Sequence, residues 1–342
     1  MAFRMPAEWE PHAATWLAWP HNAEDWPGKF EPIPWVYAEI IKNLTQDERV
    51  RLLVQNAREE RAARDCLQRA GVDLSKVDFY IIPTDRVWLR DSGPIFVKND
   101  SEKIMLDWRF NAWAKYDNHK RDDKVPARIG ERNKIKRIQP TYKNKRVVLE
   151  GGSIDVNGKG TLITTEECLL SAKQERNPGL KRDDYEKIFA EYLGVKKVIW
   201  LDRGIEGDDT HGHVDDITRF VNSTTIVTVV EHDKHSKNHL PLKENIKRLK
   251  AARDQNGKQL TIVGLPMPKP VVFEGQVLPA SYANFLIANK MLLVPTFNDS
   301  NDAIALSILA ELFPKHEIVP IHSVDLVWGL GTIHCMSQQE PA

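Results

Sequence analysis

Ile217-Thr-Arg-Phe-Val-Asn-Ser-Thr-Thr-Ile-Val-Thr228 is the stretch of this chain that decides its fold. Two short apolar strands flank a polar turn, a pattern that is typical of a β-hairpin. Residues 93–106, 152–164 and 283–294 repeat this pattern. Because the four segments recur roughly every sixty residues, the sequence predicts one repeated architecture rather than two unrelated domains.

A helix and then a strand are predicted between successive hairpins. After the second hairpin, apolar residues follow helical spacing as far as Gly194, and a short apolar run at residues 198–201 comes next. The helical positions are Tyr185, Ile188, Phe189, Tyr192 and Leu193. After the third hairpin they are Leu242, Ile246, Leu249 and Ala252, before a strand at residues 260–263. The repeating unit is therefore hairpin, helix, strand.

The helix after the fourth hairpin has the clearest sequence boundaries. Asp302 is expected to cap its N-terminus, and Pro314 is expected to end it. Its apolar positions predict a largely buried helix, followed by a strand at residues 318–321. Those positions are Ile304, Leu306, Ile308, Leu309 and Leu312.

The two ends of the chain are expected to complete a ring. Near the N-terminus the pattern predicts a helix from Ile33, a strand at residues 50–54, a helix ending at Gly71 and a strand at residues 77–82. Residues 332–337 are predicted to form the last strand and to pair with residues 14–18, since a closed ring has no exposed sheet edges. The expected fold is an α/β ring in a single domain, residues 1–342. One N-terminal helix and strand exceed what this scheme needs.

The composition is that of an ordinary globular protein. The 342 residues include 48 Lys and Arg against 48 Asp and Glu, so no basic field for nucleic acid is expected, and the basic stretch at residues 134–146 is interpreted as solvated surface. No apolar run is long enough to cross a membrane, and residues 1–9 lack the apolar centre of a signal peptide. We therefore expect a cytoplasmic protein with neither membrane nor nucleic-acid partners.

Three cysteines are widely spaced along the chain. Cys66, Cys168 and Cys335 include no Cys-x-x-Cys pair, which argues against a disulfide framework and against a thiolate zinc site. Cys66 and Cys168 are interpreted as structural thiols. Cys335 stands in a Gly-rich neighbourhood and is the candidate for chemistry.

Candidate catalytic residues occupy corresponding places, between a helix–strand pair and the hairpin that follows. Asp91, Glu150, His213, Asp215 and Cys335 all lie there. Equivalent positions in a ring of repeats converge on its axis. The sequence therefore predicts a central cluster of three carboxylates, one imidazole and one thiol, with adjacent glycines that permit close approach.

A thiol beside an imidazole is a nucleophile with an acid–base partner. Carboxylates around it suit a cationic substrate, and the planar cation that pairs bidentately with carboxylates is a guanidinium. The expected reaction is thiolate attack on the guanidinium carbon, loss of ammonia assisted by His213, and hydrolysis of the thiouronium-type intermediate. This deimination of a small guanidino compound requires no metal and no cofactor.

Other interpretations stay open at this point. His211, His213 and Asp215 have a spacing that suits a metal-dependent hydrolase, and His334 is another candidate ligand. A module that captures cationic amines without turning them over is an alternative of a different class. A purely structural or interaction protein is disfavoured, because packing gives no reason to place these five residues in register.

Short motifs along nearly the whole chain carry a family resemblance. They are Met5-Pro-Ala-Glu-Trp-Glu-Pro-His12, Thr15-Trp-Leu-Ala-Trp-Pro20, Trp88-Leu-Arg-Asp-Ser-Gly-Pro94, Arg109-Phe-Asn-Ala-Trp113, Glu150-Gly-Gly, Asn177-Pro-Gly, Gly212-His-Val-Asp215 and Ile333-His-Cys-Met-Ser-Gln-Gln-Glu-Pro341. Through them the chain resembles the agmatine deiminases, guanidino-group-modifying enzymes related to bacterial-type peptidylarginine deiminases. The resemblance implies a five-bladed α/β propeller, no metal, a homodimer, and hydrolysis of agmatine to N-carbamoylputrescine and ammonia for polyamine biosynthesis.

The motifs also assign roles by resemblance. Cys335 is implied as the nucleophile and His213 as the general acid–base. Asp91 and Asp215 are implied as the guanidinium carboxylates, and Glu150 as a carboxylate that supports the histidine and the substrate.

Substrate preference is expected to depend on residues around this cluster. Asp208, Asp209, Trp88 and Trp113 favour agmatine, because its distal ammonium suits acids and aromatic rings, whereas the carboxylate of arginine would require a cation; peptidyl-arginine is a further alternative. Trp88 also has a simpler interpretation as a core residue. The departures from the family pattern flank the expected pocket and bear on substrate preference and rate. They are His211, Ala114, Lys115, Leu330 and Thr332.

Overall fold

A computed structural model describes residues 3–342; Met1 and Ala2, which the predictions for the N-terminus and for the domain include, lie outside the described residues. The strands are β1 (His12–Ala18), β2 (Arg49–Val54), β3 (Val77–Ile81), β4 (Ile95–Lys98), β5 (Lys103–Leu106), β6 (Arg137–Ile138), β7 (Thr141–Tyr142), β8 (Lys145–Arg146), β9 (Asp155–Val156), β10 (Thr161–Thr165), β11 (Lys197–Leu201), β12 (Thr218–Asn222), β13 (Thr225–Val230), β14 (Thr261–Pro266), β15 (Val272–Phe273), β16 (Gln276–Val277), β17 (Leu286–Ile287), β18 (Met291–Thr296), β19 (Glu317–His322) and β20 (Gln338–Pro341). The α-helices are α1 (Ile33–Leu44), α2 (Ala57–Arg69), α3 (Leu89–Ser92), α4 (Val125–Asn133), α5 (Glu166–Leu170), α6 (Arg182–Leu193), α7 (His239–Ala251), α8 (Ser300–Leu312) and α9 (Ile333–Met336). The 3₁₀ helices are Ala23–Asp25, Leu74–Lys76, Ala112–Ala114, Asp122–Lys124, Gly151–Ser153, Val214–Asp216 and Leu326–Gly329.

Five units of the chain share one topology. In each unit an antiparallel hairpin is followed by a helix, and a third strand then returns parallel to the second hairpin strand. Four of the sheets are β4-β5-β6, β9-β10-β11, β12-β13-β14 and β17-β18-β19, and their connecting helices are α4, α6, α7 and α8. The predicted repeat of hairpin, helix and strand is confirmed. The two-stranded sheets β7-β8 and β15-β16 are additions to the repeat that the sequence pattern did not predict.

The fifth unit joins the two ends of the chain. β20 pairs antiparallel with β1, which places Trp16 opposite Gln338, and β2 returns parallel to β1 after α1. The extra N-terminal helix and strand are α2 and β3, and β3 adds a fourth strand to this sheet. The pairing of β1 with β20 completes the five-bladed α/β arrangement that was expected.

Two predicted boundaries are wrong. Residues 332–337 are not the last strand, because they contain the short helix α9 and the pairing strand begins only at Gln338. The apolar pattern there reflects burial rather than strand structure, since Ile333 and Met336 are fully buried. The N-cap of α8 is Asp299, and Asp302 is instead the third residue of the capping box, with its carboxylate bonded to the Asp299 backbone.

Helix α8 is also less buried than predicted. Ala305 and Leu309 are its buried residues, whereas the side chain of Ile304 is 50% exposed. The buried side contacts β14 and β19. When a helix has apolar residues on more than one face, its sequence does not show which face will stay exposed.

The apolar core is distributed around the ring. Buried side chains form four clusters rather than one central mass, and the largest holds the N-terminal tryptophans Trp16, Trp19 and Trp26. This distribution leaves the centre of the ring for polar residues. Within residues 3–342, no helix has both the length and the apolar character that a membrane span requires.

Glu340 fixes the strand that closes the ring. Its buried carboxylate accepts hydrogen bonds from Nε1 of Trp16 at 2.9 Å and Nζ of Lys103 at 2.9 Å, and it pairs with Arg51. Glu340→Ala removes the shared acceptor of three donors, so we expect the free energy of unfolding to fall by about 3 kcal/mol, as measured by urea denaturation.

Glu102 provides the matched control for this substitution. Its exposed carboxylate lies 3.4 Å from Nζ of Lys136, so Glu102→Ala should change the free energy of unfolding by less than about 0.5 kcal/mol. Equal unfolding midpoints for Glu340→Ala and the wild type would contradict the proposed role of Glu340 in ring closure.

Candidate active site

The segment before the hairpin of each blade directs a polar residue toward the ring centre. Asp91 lies on α3, and Cys335 lies on α9. Glu150 immediately precedes the turn Gly151–Ser153, while His213 caps the turn that contains Asp215. All five side chains are buried, and the structure brings together the residues that the repeat register predicted.

His213 lies at the centre of this cluster. Its Nδ1 is 3.8 Å from Oδ1 of Asp91 and 4.0 Å from Oδ1 of Asp215. Sγ of Cys335 is 3.8 Å from Oδ2 of Asp215. A ring nitrogen of His213 lies within 4.8 Å of a carboxylate oxygen of Glu150. These side chains are close enough to act on a single small molecule.

Gly152 allows the cluster to be this compact. A Cβ atom at this position would lie 2.5 Å from Nδ1 of His213 and 3.0 Å from a carboxylate oxygen of Asp91 and of Asp215. The backbone N–H of Gly152 donates to Oδ1 of Asp91 at 3.0 Å. The second glycine of the Glu-Gly-Gly motif is therefore required for close approach of these three side chains.

Asn284 organises the turn that carries the thiol. Its Nδ2 donates to Sγ of Cys335 at 3.0 Å and to Oδ1 of Asp216 at 2.9 Å. Its Oδ1 accepts from Oγ1 of Thr332 at 2.7 Å and from the backbone N–H of His334 at 3.1 Å. One buried amide thus fixes both the nucleophile and the backbone around it.

Asn284 was not predicted as a site residue, although the repeat register contained the signal. Asn284 precedes the hairpin of β17 and β18, which is the place where the other blades carry their polar central residue. The amide side chain of Asn284 has neither a charge nor a nucleophilic atom, so its residue type did not suggest a role in the site. Its position in the repeat is the feature that identifies it.

The thiol is surrounded by negative charge. Burial, followed by the carboxylates of Asp215, Asp216 and Asp91, raises the pKa of Cys335 well above its ordinary value. Burial likewise raises the pKa of Asp91 to about 6. Burial alone would lower the pKa of His213, but its neighbours, led by Asp91, raise it well above the ordinary value. Without a ligand the site therefore contains a neutral thiol beside a protonated imidazole.

Asp215 is held from behind by His334. Nδ1 of His334 is 2.7 Å from Oδ2 of Asp215, and Nε2 is 2.9 Å from Oε2 of Glu8, which also accepts from Arg219 at 2.6 Å. Burial would raise the pKa of Asp215, but His334, together with His213 and Arg219, lowers it. His334 thus orients a carboxylate, a role that its interpretation as a metal ligand did not include.

Glu150 is paired with a buried arginine. Nε of Arg176 donates to Oε1 of Glu150 at 2.9 Å, and both side chains are fully buried. Oε2 of Glu150 has no hydrogen-bond partner among residues 3–342. Arg176 was not predicted, because an arginine in a polar stretch resembles surface.

A cavity of about 210 Å³ opens onto the cluster. Cys335, Asp91, Trp88, Trp113 and Asp209 are among the residues that line it. Nε1 of Trp113 donates to Oδ2 of Asp91 at 2.9 Å. Both predicted aromatic residues therefore lie on the wall of the cavity, and Trp113 also orients a carboxylate.

The backbone at Trp113 is in a rare conformation. Ala112, Trp113 and Ala114 have φ values of 49°, 58° and 53°, in the left-handed region that glycine adopts most easily. The carbonyl of Trp113 accepts from Nε2 of Gln174 at 3.1 Å, a contact that helps to hold this strained turn against the cavity.

The two aspartates expected near a distal ammonium have different surroundings. Asp209 lines the cavity, but its carboxylate already contacts Nζ of Lys115 and accepts from the hydroxyl of Tyr116 at 2.7 Å. Asp208 is not among the residues that line the cavity. Its carboxylate accepts from backbone N–H groups of its own loop, including that of His213 at 3.0 Å. Asp208 therefore shapes the loop that presents His213, and its contact with a substrate ammonium stays a prediction.

His211 has a conformational explanation. Its φ is 66°, a left-handed value that Asn and His tolerate better than most residues, and its Nε2 is 3.1 Å from Oγ of Ser171. Among residues 3–342, the atoms of His211, His213 and Asp215 do not converge within reach of one ion. The three ligands that the metal-dependent alternative requires are therefore not arranged to bind one ion.

Two other trios are compact enough to be considered for a metal. They are Glu150, Cys168 and His213, and Asp215, Asp216 and Cys335, with candidate ligand atoms within 4.8 Å of one another. In the first trio, the Arg176 guanidinium beside Glu150 already balances the carboxylate and opposes a second cation. In the second, Asp215 and Asp216 are engaged by His334 and Asn284. We assign no ion to either trio.

Known proteins match this chain over nearly its whole length. The family model of the Porphyromonas-type peptidyl-arginine deiminases matches residues 4–341. The agmatine deiminase of Ectopseudomonas mendocina is 36% identical, over 99% of this chain and 96% of the relative. The structure of the Enterococcus faecalis agmatine deiminase superposes with a TM-score of 0.90 at 33% identity, covering 99% of this chain and 96% of that chain. A C. jejuni agmatine deiminase with substrate bound gives a TM-score of 0.88 at 29% identity and the same coverage.

The pKa of the Cys335 thiol is open to direct measurement. Because its pKa is raised, the thiol should be protonated at neutral pH, and alkylation by iodoacetamide should be slow at about pH 7 and accelerate without a plateau up to about pH 9. Peptide mass spectrometry separates the rate at Cys335 from that at the other thiols, and N-acetylcysteine is the reference. Rapid alkylation that is independent of pH between about 6 and 8 would show that a thiolate is already present.

Proposed function

Since the chain belongs to the Porphyromonas-type peptidyl-arginine deiminase family, we propose that it is a hydrolase that converts agmatine and water to N-carbamoylputrescine and ammonia. The observation that carries the proposal is a buried thiol beside two buried carboxylates, Asp91 and Asp215, to which no Arg or Lys side chain of residues 3–342 is bonded. A guanidinium is the cation that this arrangement fits best.

The proposed binding site for the guanidinium lies between Asp91 and Asp215. Among residues 3–342, Asp91 accepts hydrogen bonds only from neutral donors, the backbone of Gly152 and the indole of Trp113. Oδ1 of Asp215 has no hydrogen-bond partner among residues 3–342. A guanidinium held by both carboxylates would satisfy these acceptors and turn its central carbon toward Cys335.

Substrate binding would itself activate the nucleophile. The pKa of Cys335 is raised by burial and by the surrounding carboxylates, and a bound cation opposes the effect of those carboxylates. The thiol then loses its proton to solvent. The resulting thiolate also receives a hydrogen bond from Nδ2 of Asn284, which favours the ionised form.

His213 then transfers protons in both halves of the reaction. The sulfur–carbon bond forms first, and the imidazolium donates its proton to the departing nitrogen as the carbon–nitrogen bond breaks and ammonia leaves. The neutral imidazole next removes a proton from water as the water oxygen attacks the thiouronium carbon. The carbon–sulfur bond then breaks and the hydroxyl proton passes to solvent, which releases the ureido product, the Cys335 thiolate and a protonated His213.

The charges on the cavity wall favour agmatine over arginine. Besides Asp91, the lining residues Glu24, Asp25 and Asp209 carry carboxylates. Arg86 is the cation among these lining residues, and its Nη1 already bonds to Asp25 at 2.6 Å. The wall thus has no free cation to receive an α-carboxylate, whereas acidic side chains suit a distal ammonium. Glu24 is exposed at the cavity edge and has no side-chain partner among the described residues.

The remaining predictions are proposals of the same kind. A single catalytic domain over residues 1–342 is supported by the pairing of β1 with β20. A cytoplasmic location is supported by the three free thiols, and the balanced charge disfavours nucleic acid as a partner. The homodimer rests on the family resemblance.

Product analysis tests the proposed reaction. Incubation of the protein with agmatine should yield N-carbamoylputrescine and ammonia in equal amounts by mass spectrometry and an ammonia assay, and Cys335→Ala should yield neither. Cys66→Ala is the matched control, because Cys66 lies on α2 away from the cavity, and it should retain full activity. Arginine should be turned over with a kcat/KM at least about tenfold lower, because its carboxylate finds no free cation.

Several outcomes would contradict the proposal. Preference for arginine would overturn the substrate assignment. Product formation by Cys335→Ala would overturn the covalent mechanism, and activity of that variant that a chelator abolishes would support the metal-dependent alternative. Tight binding of agmatine without turnover by the wild type would support a binding module instead.

A further inference from the structure

A second thiol lies behind His213. Cys168 is on α5 and is only 1% exposed. Its Sγ, a ring nitrogen of His213 and a carboxylate oxygen of Glu150 all lie within 4.8 Å of one another. From the sequence, Cys168 was interpreted as a structural thiol. Its location behind His213 suggests a role in the site as well.

One buried hydroxyl fixes the position of Cys168 relative to the histidine. Oγ1 of Thr165 accepts from the backbone N–H of Cys168 at 3.0 Å and donates to the carbonyl of Gly212 at 2.5 Å. Gly212 is the residue directly before His213. The backbones that carry the thiol and the imidazole are therefore tied to each other through a single side chain.

The imidazole has few other contacts that could orient it. Neither ring nitrogen of His213 has a conventional hydrogen bond among residues 3–342. Nδ1 faces Asp91 and Asp215 at 3.8 and 4.0 Å, distances that are too long for hydrogen bonds. Glu150 makes no hydrogen bond to the ring either: its Oε1 accepts from Arg176, and its Oε2 has no partner among the described residues.

We propose that Cys168 is a positioning residue for His213, whose thiol keeps the imidazole oriented while the ring gains and loses its proton. A thiol is both a weak donor and a weak acceptor, so it can accept from the imidazolium N–H and donate to the neutral ring nitrogen. An apolar side chain of similar size can do neither. This role depends on the proposed function, in which His213 transfers protons in both halves of the reaction.

The electrostatics around the ring agree with this role. Burial lowers the pKa of His213, and Asp91 and then the contact with Cys168 raise it. The ionisable groups that face the ring are Asp91, Glu150 with its partner Arg176, Cys168, Asp215, Asp216 and, across the cavity, Cys335. Loss of the sulfur should therefore shift the pKa of His213 downward, and the imidazolium would lose its proton at a lower pH.

Two substitutions separate positioning from packing. Cys168→Val fills the space with apolar atoms but removes the donor and acceptor, whereas Cys168→Ser keeps both. If Cys168 were only a small hydrophobe in the core, valine would be tolerated better than serine. Under the proposal the order is reversed.

The kinetic test compares these variants with the wild type on agmatine. Cys168→Val should lose about tenfold in kcat, a part of the 10²–10⁴ that a general acid–base supplies, with little change in KM. The alkaline limb of its kcat–pH profile should move to lower pH. Cys168→Ser should stay within about threefold of the wild-type kcat and keep the wild-type limb. Cys66→Val and Cys66→Ser are matched controls on α2 and should leave kcat and the profile unchanged.

A titration that needs no activity complements the kinetics. In the Cys335→Ala background, NMR of labelled histidine should report a lower pKa of His213 with Cys168→Val or Cys168→Ala than with native Cys168, and a smaller decrease with Cys168→Ser. Cys168→Ala removes only the sulfur, so it serves if valine prevents folding. An unchanged His213 titration in Cys168→Ala, or a Cys168→Val enzyme with wild-type kcat and pH profile, would overturn the proposal.

The two readouts also separate this inference from the proposed function. If the wild type does not turn over agmatine but the His213 titration still depends on the sulfur, the proposed function fails and the contact of Cys168 with His213 stands. If agmatine is turned over and neither readout responds to Cys168, the proposed function stands and the positioning role fails.

Discussion

Buried negative charge at the ring centre determines how the residues around it are arranged. Asp91 and Asp215 both face Nδ1 of His213 from about one side, at 3.8 and 4.0 Å, and neither has a guanidinium or ammonium of the chain bonded to it within residues 3–342. Uncompensated buried charges are costly. The protein offsets part of this cost with neutral donors, with His334 and with His213, and under the proposed function a bound planar cation offsets the rest. The same carboxylates raise the pKa of Cys335.

The fold brings the five segments that precede the hairpins together at the centre of the ring. Each turn precedes a hairpin, so the rigid strands that follow fix its direction, and the pairing of β20 with β1 prevents the ring from opening. The approach of the turns is so close that one glycine, Gly152, is needed among three reacting side chains. Behind this layer, buried ion pairs such as Arg176 with Glu150 hold the carboxylates in orientation.

Much of this could be predicted from the sequence, because hairpins, helical stripes and turn residues are local signals. The repeat register predicted that Asp91, His213 and Cys335 lie in one cluster. The failures have a common cause, since they depend on which partners surround a residue. An apolar stretch at residues 332–337 is buried as a helix, and the carboxylate of Asp208 accepts from its own loop. Asn284 has the right place in the repeat but lacks the charge of its counterparts in other blades, and the residue type of Cys168 did not indicate that it lies beside the imidazole.

The crystal structure of Cys335→Ala with agmatine tests the central claim most directly, because agmatine has a cation at each end and either end could enter the acidic centre. We expect the guanidinium nitrogens to lie within hydrogen-bond distance of Asp91 and Asp215. The central carbon should face residue 335, and the ammonium should lie toward Glu24 and Asp209. A structure with the ammonium between Asp91 and Asp215, or with agmatine bound elsewhere, would contradict it.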